Sequence, residues 1–296
     1  MALPKLDART IASLAPFDIL VAPVGFSVPL PPPFDTLLSE LVLPEPAGRV
    51  PFVANYVAAL DGTVRVSDAE PHSPLVALQL PHDRILLTLL RATASSIVVG
   101  AESPRKSRRL QDATAAMPAL REELDKLRAW LGLGPLHHVV VSGRGDLPAR
   151  HVMWDQGATV VTTPKGAERL RLEGEVRIVV DEEAGLDGLG PSVRGELVAE
   201  AARAAVAGRP PSGAPGFAYF EGGPRLFAEL VGAAEIDHLF LTVSPVLAGE
   251  APGHMRLMAG PGYGRFELAG LARVGSHLFE RWRGVAGSRG TEALKG

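Results

Sequence analysis

The sequence has 296 residues, of which 46% are apolar and 5% aromatic, so it can bury a core built mainly of alanine, valine and leucine. Its formal net charge of −3 gives no general attraction to nucleic acid or to an anionic membrane. It contains no cysteine, which excludes disulfides, thiolate metal sites and cysteine nucleophiles. No stretch approaches the roughly 18 apolar residues of a membrane span, and no signal peptide is evident, so we expect a soluble, cytoplasmic protein.

Residues 1–50 are rich in proline and are predicted to form an extension that wraps over the surface. Within it, only the segment 34–42 favours a short helix. Such an extension could carry an oligomer contact. The remainder, 51–296, is predicted to be a single domain, because it shows no internal repeat and no low-complexity tract.

From residue 51 onward, short apolar runs alternate with segments of helical periodicity. The apolar runs predict strands over 52–60, 96–100, 137–142, 158–163, 176–180 and 217–220. The helical periodicity predicts helices over 83–94, 118–133, 191–208 and 224–234. This alternation is typical of an α/β fold with a mainly parallel sheet and helices on both faces.

The C-terminal part follows a different pattern. An alternating run over 236–249 leads into a proline-containing edge, and "FELAGLARVG" followed by "SHLFERWRG" predicts an antiparallel hairpin. We therefore expect the parallel sheet to continue into an antiparallel C-terminal edge.

Three predicted strands end in unusual residues. The first stops at "LDG" (60–62), the second at "GAES" (100–103) and the third at "EGGP" (221–224). Ligands bind beyond the carboxyl ends of strands in open α/β sheets, so we predict that the three ends share one crevice. Each motif alone also fits an ordinary turn, since Asp-Gly is common in hairpins and Gly-Gly-Pro suits the entry into a helix.

The order and spacing of these motifs resemble the reductase domain of bacterial riboflavin biosynthesis, whose fold is similar to that of dihydrofolate reductase. That family has Leu-Asp-Gly at a strand end, a helix with Leu-Arg-Ala, then Val-Gly-Ala-x-Thr/Ser, and later Glu-Gly-Gly-Pro-x-Leu. The corresponding segments here are "LDG" at 60–62, "LRA" at 90–92, "VGAES" at 99–103 and "EGGPRL" at 221–226. The pattern continues through "IDHLFLTVSPVLAG" at 236–249, and the resemblance implies a three-layer sandwich of the dihydrofolate reductase type.

The resemblance implies NADPH as the hydride donor, with its pyrophosphate against the glycines of "EGGP" and the following helix start, where free N–H groups favour phosphate. The implied cofactor-binding residues are Gly100, Ala101, Ser103, Ser142, Arg144, Gly222, Gly223, Pro224 and Leu226. Ser142 and Arg144 are candidates for the 2′-phosphate, which an arginine can hold through two hydrogen bonds. A solvated loop charge is an equally good interpretation of Arg144.

The same resemblance implies a phosphoribosylamino-pyrimidine substrate, whose ribose is reduced to a ribityl chain. It implies that Asp61 and Glu221 orient substrate or cofactor hydroxyl groups and that Arg91 faces the substrate. Because the cofactor carries the chemistry, the main task of the protein is to align the reactants. The sequence does not support a general-acid role for Asp61.

Two segments on the substrate side depart from the family pattern. The family has a Ser-x-Trp element where this chain reads "HSPLVAL" (72–78), and an acidic segment where it reads "PRKSRRLQD" (104–112). The basic run is typical of a solvated loop, but it could also bind a phosphate of NADPH or of a different substrate. The acceptor could therefore be a pyrimidine or a pterin-like metabolite, and a non-catalytic nucleotide-binding relative is the alternative to an enzyme.

Small molecules are the expected partners, with no nucleic acid, membrane or metal. Bifunctional relatives carry a zinc deaminase domain whose Pro-Cys-x-x-Cys signature this chain lacks. The adjacent His137 and His138 point to opposite faces of a strand and cannot share a metal in the usual way. A homodimer is expected from the resemblance and from the apolar alternation of 238–247 and 265–283 near a sheet edge that needs covering.

Overall fold

The computed structural model describes residues 6–45, 48–66, 75–187, 190–206, 216–260 and 262–285. Its α-helices are Ala8–Ala12 (α1), Pro81–Thr93 (α2), Glu102–Lys106 (α3), Ala113–Ala116 (α4), Arg121–Trp130 (α5), Val152–Asp155 (α6), Pro164–Arg169 (α7), Gly195–Ala204 (α8) and Pro224–Gly232 (α9). Its strands are Asp18–Val21 (β1), Phe26–Pro29 (β2), Glu40–Leu43 (β3), Phe52–Ala59 (β4), Thr63–Arg65 (β5), Ser96–Gly100 (β6), His137–Val141 (β7), Ala158–Thr162 (β8), Val176–Val180 (β9), Gly185–Asp187 (β10), Gly190–Ser192 (β11), Ala218–Phe220 (β12), His238–Ser244 (β13), Met255–Arg256 (β14), Phe266–Val274 (β15) and His277–Gly284 (β16).

Within the described residues, ten strands form one sheet in the order β1-β15-β16-β13-β4-β12-β6-β7-β8-β9. The strands from β13 to β9 in this order are parallel, because helices and loops carry the chain back between them. Strands β16, β15 and β1 then add an antiparallel edge. The predicted α/β class and the mainly parallel sheet with an antiparallel C-terminal edge are confirmed.

Two apolar layers cover the sheet, one on each face. Helices α2 and α5 bury leucines against one face, and helices α8 and α9 bury alanine, valine and leucine against the other. The sequence of helix α2 explains both its start and its burial. Pro81 suits the first helical position, where no N–H is needed. The side chains that form its buried stripe are Ile85, Leu86, Leu89 and Leu90. Helices, sheet and helices make the predicted three layers.

The N-terminal segment packs more closely than a surface extension. Its apolar side chains join the same core as α2 and α5, with Val28, Phe34 and Leu43 fully buried. The predicted helix over 34–42 is wrong: a 3₁₀ turn over Phe34–Thr36 is followed by β3, which pairs with β2. Alternate burial of Leu41 and Leu43 in β3 satisfies the apolar side chains better than a helix would.

Other differences concern boundaries. The helix predicted over 191–208 begins only at Gly195, because residues 190–192 pair with β10 as strand β11. The strand predicted over 236–249 is limited to β13, which lies inside the sheet between β4 and β16. Strand β1 therefore forms the antiparallel edge of the sheet. The C-terminal hairpin is confirmed, with Gly275 at φ +57° in its turn.

Among the described residues, no helix combines the length and the apolar character needed to cross a membrane.

Candidate functional site

A cleft of about 1040 Å³ opens at the carboxyl ends of the adjacent parallel strands β4, β12 and β6. Most of the predicted site residues line it, namely Arg91, Gly100, Ala101, Ser103, Glu221, Gly222, Gly223, Pro224 and Leu226. Parallel strands end at the same edge of a sheet, which is why segments more than a hundred residues apart meet here. Their individual roles remain predictions.

Arg91 and Glu221 form an ion pair in the cleft. The Arg91 Nε atom donates to Glu221 Oε1 over 2.7 Å and Nη2 donates to Oε2 over 2.5 Å, so the two planar groups meet edge to edge. A second contact joins Arg91 Nη2 to Gln111 Oε1 over 3.2 Å. The two charged side chains are 9% and 11% exposed, so this is a nearly buried pair.

Burial and pairing have opposite effects on Arg91. Burial disfavours the guanidinium charge, but the Glu221 carboxylate more than compensates and raises the pKa of Arg91 above its ordinary value. The pair places donors and acceptors of fixed orientation in the cleft without adding net charge.

The glycines of the "EGGP" motif have different surroundings. A Cβ on Gly222 would lie 2.5 Å from the Phe220 ring, so packing within the protein requires this glycine. A Cβ on Gly223 would meet nothing within 4 Å, although Gly223 lines the cleft. The space above Gly223 is thus free for a ligand.

Helix α9 begins directly after Gly223, which is its N-cap and supplies no side-chain hydrogen bond. The N–H groups of a first helical turn have no partner inside the helix and carry the positive end of the helix dipole. Tyr56 fixes the preceding turn, because its hydroxyl donates to the Gly222 carbonyl over 2.8 Å. These features fit the phosphate groups of a dinucleotide, which the resemblance predicts at this place.

Asp61 lies outside the residues that line the cleft. Its carboxylate accepts backbone N–H groups from Thr63, Ala248 and Gly249 over 3.1, 3.1 and 2.6 Å. The Gly249 bond contributes most to lowering the pKa of Asp61 to about 2. The carboxylate fastens the strand-end turn to the loop after β13, and these three bonds occupy much of its capacity to accept others.

Ser142 and Arg144 follow β7 and lie beside the cleft, which their neighbour Gly143 lines. The Ser142 side chain is buried and its hydroxyl has no hydrogen-bond partner among the described residues. Arg144 is exposed. The structure thus brings these two residues near the cleft but not into it.

Of the two segments that depart from the family pattern, 104–112 contributes to the cleft. In 104–112, Lys106 and Arg109 line the cleft, whereas Arg105 contacts the Asp146 carbonyl and carboxylate. In 72–78, residues 72–74 lie outside the described part of the chain. The basic run therefore begins in the last turn of α3, is largely exposed and forms one wall of the cleft.

Asp83 lines the cleft and was not predicted as a site residue. It stands in the first turn of α2, about two turns and about 12 Å before Arg91 on the same helix face. Burial raises the pKa of Asp83 to about 6, and the neighbouring Thr242 hydroxyl offsets part of this rise. The helical spacing from 83 through 87 to 91 was the sequence signal that could have revealed it.

No protein-family model and no curated protein matches the chain. Among solved structures, a pyrimidine reductase-like protein from Corynebacterium diphtheriae is similar over 80% of this chain and 92% of its own, with 18% identity and a TM-score of 0.54. The riboflavin biosynthesis reductase of Saccharomyces cerevisiae is similar over 80% of this chain and 90% of its own, with 14% identity and a TM-score of 0.51.

A third similar structure is the diaminohydroxyphosphoribosylaminopyrimidine deaminase/5-amino-6-(5-phosphoribosylamino)uracil reductase of Thermotoga maritima. It is 15% identical, with a TM-score of 0.51, over 80% of this chain but only 57% of its own. The chain has the pyrimidine reductase fold. The resemblance predicted from the motifs is thus confirmed for the fold.

Proposed function

We propose that the protein is an NADPH-dependent reductase of a pyrimidine-ribose or pterin-like metabolite. The observation that carries this proposal is the uncapped start of helix α9 behind Gly223, in a cleft large enough for a dinucleotide and a second small molecule. The fold shared with solved pyrimidine reductases supports it.

The proposal gives each side of the cleft a task. Gly222, Gly223 and the first turn of α9 hold the pyrophosphate, with Gly100, Ala101 and Ser103 on the neighbouring strand end. When bound, NADPH supplies a hydride. Arg91 and Glu221 orient hydroxyl groups of the substrate, since an arginine fork donates and a carboxylate accepts hydrogen bonds in a fixed geometry.

We assign the choice between NADPH and NADH to Arg144, which is exposed beside the cleft, whereas the hydroxyl of Ser142 is buried. An arginine–phosphate pair with two hydrogen bonds would favour NADPH. We expect NADPH to bind tighter than NADH, and Arg144→Ala to remove at least about tenfold of this preference. Equal affinity of the wild-type protein for both cofactors would refute this assignment.

Substitution of Gly223 tests the cofactor site. In Gly223→Val, the new side chain enters free space at φ −75°, a backbone conformation that any residue adopts, so the fold should be retained. NADPH binding should weaken by about 2 to 3 kcal/mol in a calorimetric titration, because the side chain occupies the ligand's place.

Gly222→Ala is the matched control, since its Cβ would collide with Phe220 within the protein. It should lower the melting temperature, whereas Gly223→Val should not. If Gly223→Val left NADPH affinity unchanged, the motif would be an ordinary turn and the cofactor assignment would lose its main support.

The second candidate function is a non-catalytic nucleotide-binding protein, and the altered segment 104–112 is the observation that favours it. A turnover assay distinguishes the two functions. NADPH oxidation that depends on 5-amino-6-(5-phosphoribosylamino)uracil or on a pterin supports the reductase. Binding of NADPH without turnover across pyrimidines and pterins supports the second candidate.

We further propose a homodimer that covers the sheet edge at β1. In β1, Ile19, Leu20 and Val21 are 45%, 48% and 41% exposed, and the strand has no neighbour on its outer side among the described residues. An apolar edge strand favours association. Sedimentation at micromolar concentration should show a dimer, and a monomer would refute this part.

A further inference from the structure

A tyrosine side chain that lines the cleft holds the turn of the "EGGP" motif. Tyr56 stands in the middle of β4. Its hydroxyl donates to the Gly222 carbonyl over 2.8 Å. Desolvation raises the pKa of Tyr56 well above its ordinary value, so the hydroxyl keeps its proton and remains a donor.

The Tyr56 ring is held by the residues that flank this turn. It packs against Phe227 of α9 with 4.9 Å between the ring centroids, and its centroid lies 6.3 Å from that of Phe220 at the end of β12. Tilted aromatic pairs of this kind favour a defined ring geometry. The hydroxyl therefore has a fixed position relative to the strand end and the helix on either side of the turn.

The peptide unit between Gly222 and Gly223 has little to fix it apart from this hydrogen bond. Glycine has no Cβ and reaches most backbone conformations at little cost, so a peptide unit between two glycines can turn over easily. The unit is trans, and its C=O and N–H therefore point in opposite directions. Because Tyr56 holds the C=O, it also sets the direction of the Gly223 N–H, which donates to no described residue.

The proline that follows makes this N–H more important. Pro224 is the first residue of α9 and has no N–H of its own. Gly223 therefore supplies the last N–H group before that of Arg225, and Gly222, Gly223 and Arg225 all line the cleft. An N–H that faces the cleft attracts an anion, whereas a peptide unit that has turned over presents its carbonyl oxygen and repels it.

We propose that Tyr56 is a positioning residue for the cofactor pyrophosphate: it holds the Gly222–Gly223 peptide so that the Gly223 N–H faces the cleft and donates to a phosphate oxygen. This inference rests on the proposed function, since it concerns the same cofactor site. Tyr56 acts on the ligand through the peptide that it holds.

The test compares two variants that lose the same hydroxyl group. Tyr56→Phe keeps the ring and removes the bond to Gly222, whereas Tyr263→Phe makes the same change outside the residues that line the cleft. Affinities for inorganic pyrophosphate and for NADPH are measured by calorimetric titration, and the Gly223 amide resonance is followed by NMR in the same samples. Thermal unfolding first establishes that each variant is folded.

Tyr56→Phe should weaken the binding of both pyrophosphate and NADPH by about five- to tenfold, the factor that corresponds to one net hydrogen bond. The change in the Gly223 amide resonance at saturation should also shrink, because a peptide unit that turns over spends less time with its N–H toward the phosphate. Tyr263→Phe should match the wild-type protein in both affinities and in this resonance.

Unchanged affinities in Tyr56→Phe overturn the inference. Weaker binding with a full change in the Gly223 amide resonance also overturns it, since Tyr56 would then only stabilise the fold. The proposed function has a separate readout in the wild-type protein. Binding of pyrophosphate but not of NADPH, with the effects of Tyr56→Phe retained, contradicts only the reductase. Binding of NADPH without any change in the Gly223 amide resonance contradicts only the role of Tyr56.

Discussion

The turn after β4 and the cleft face of α2 each present an aspartate, and the two are opposites. Asp61, in the turn, accepts three backbone N–H groups and has its pKa lowered to about 2. Asp83, on the helix, is buried next to the Thr242 hydroxyl, and burial raises its pKa to about 6. Backbone hydrogen bonds lower the pKa of the first carboxylate, whereas burial raises the pKa of the second.

The comparison shows that a conspicuous sequence motif need not contain the aspartate that lines the cleft. Asp61 stands in a recognisable Leu-Asp-Gly motif, and in the structure its carboxylate holds two loops together. Asp83 stands in an unremarkable helix start, and in the structure it lines the cleft. A residue that shapes the backbone of a turn leaves a stronger sequence signature than one whose surroundings arise from tertiary packing.

The largest expected effect concerns the Arg91–Glu221 ion pair in the cleft. Glu221→Gln leaves the Arg91 guanidinium nearly buried without a counter-charge, so the free energy of unfolding should fall by about 3 to 5 kcal/mol. Urea denaturation measures this loss. If stability were unchanged while turnover fell, the Arg91–Glu221 pair would contribute to substrate binding but not to the stability of the fold.

The second prediction concerns the effect of pH on Asp83. Its pKa is raised from 3.8 to about 6 on folding, so the folded state binds the proton more tightly, and stability falls as pH rises from 4 to 6. Relative to Asp83→Asn, the wild-type protein should lose about 3 kcal/mol over this range and then level off.

Denaturation of both proteins at several pH values checks this difference, in which the other titrating groups cancel. A constant difference between the two would mean that Asp83 has an ordinary environment and that the contrast with Asp61 is false.

A smaller effect is expected at Gly62 in the turn. Its φ is +80°, a left-handed conformation, although a Cβ there would meet nothing within 4 Å. Gly62→Ala should therefore cost about 1 to 2 kcal/mol through backbone strain without a steric clash. Thermal unfolding tests this, and a neutral result would show that the turn relaxes instead of holding its geometry.

The smallest effect is expected for Asp61→Asn, because the amide keeps one accepting oxygen and the group lies at the surface. A folded-state pKa of about 2, below the ordinary 3.8, stabilises the protein above pH 4, and this contribution is lost as the pH falls toward 2. The stability difference between wild type and variant should therefore shrink in acid. A difference that grows in acid would reverse the assigned role.

Much of the sheet and the glycine side of the cleft could be predicted, because apolar runs and the Gly-Gly-Pro helix start are local signals. Strand β3 could not, since its burial depends on pairing with β2. The partners of Asp61, at Ala248 and Gly249, are 187 and 188 residues away and left no local trace. The burial of Asp83 beside Thr242 is a property of the packed cleft and cannot be seen in the helix pattern alone.

Strand β1 also has a consequence for how the protein is made. Among the described residues it pairs with β15 alone, and its Asp18 forms an ion pair with Arg273, 255 residues later. Its place in the sheet therefore does not exist until residues 266–274 have left the ribosome. The buried side chains of the N-terminal segment can pack earlier, against helix α2, so β1 is expected to complete this edge of the sheet last.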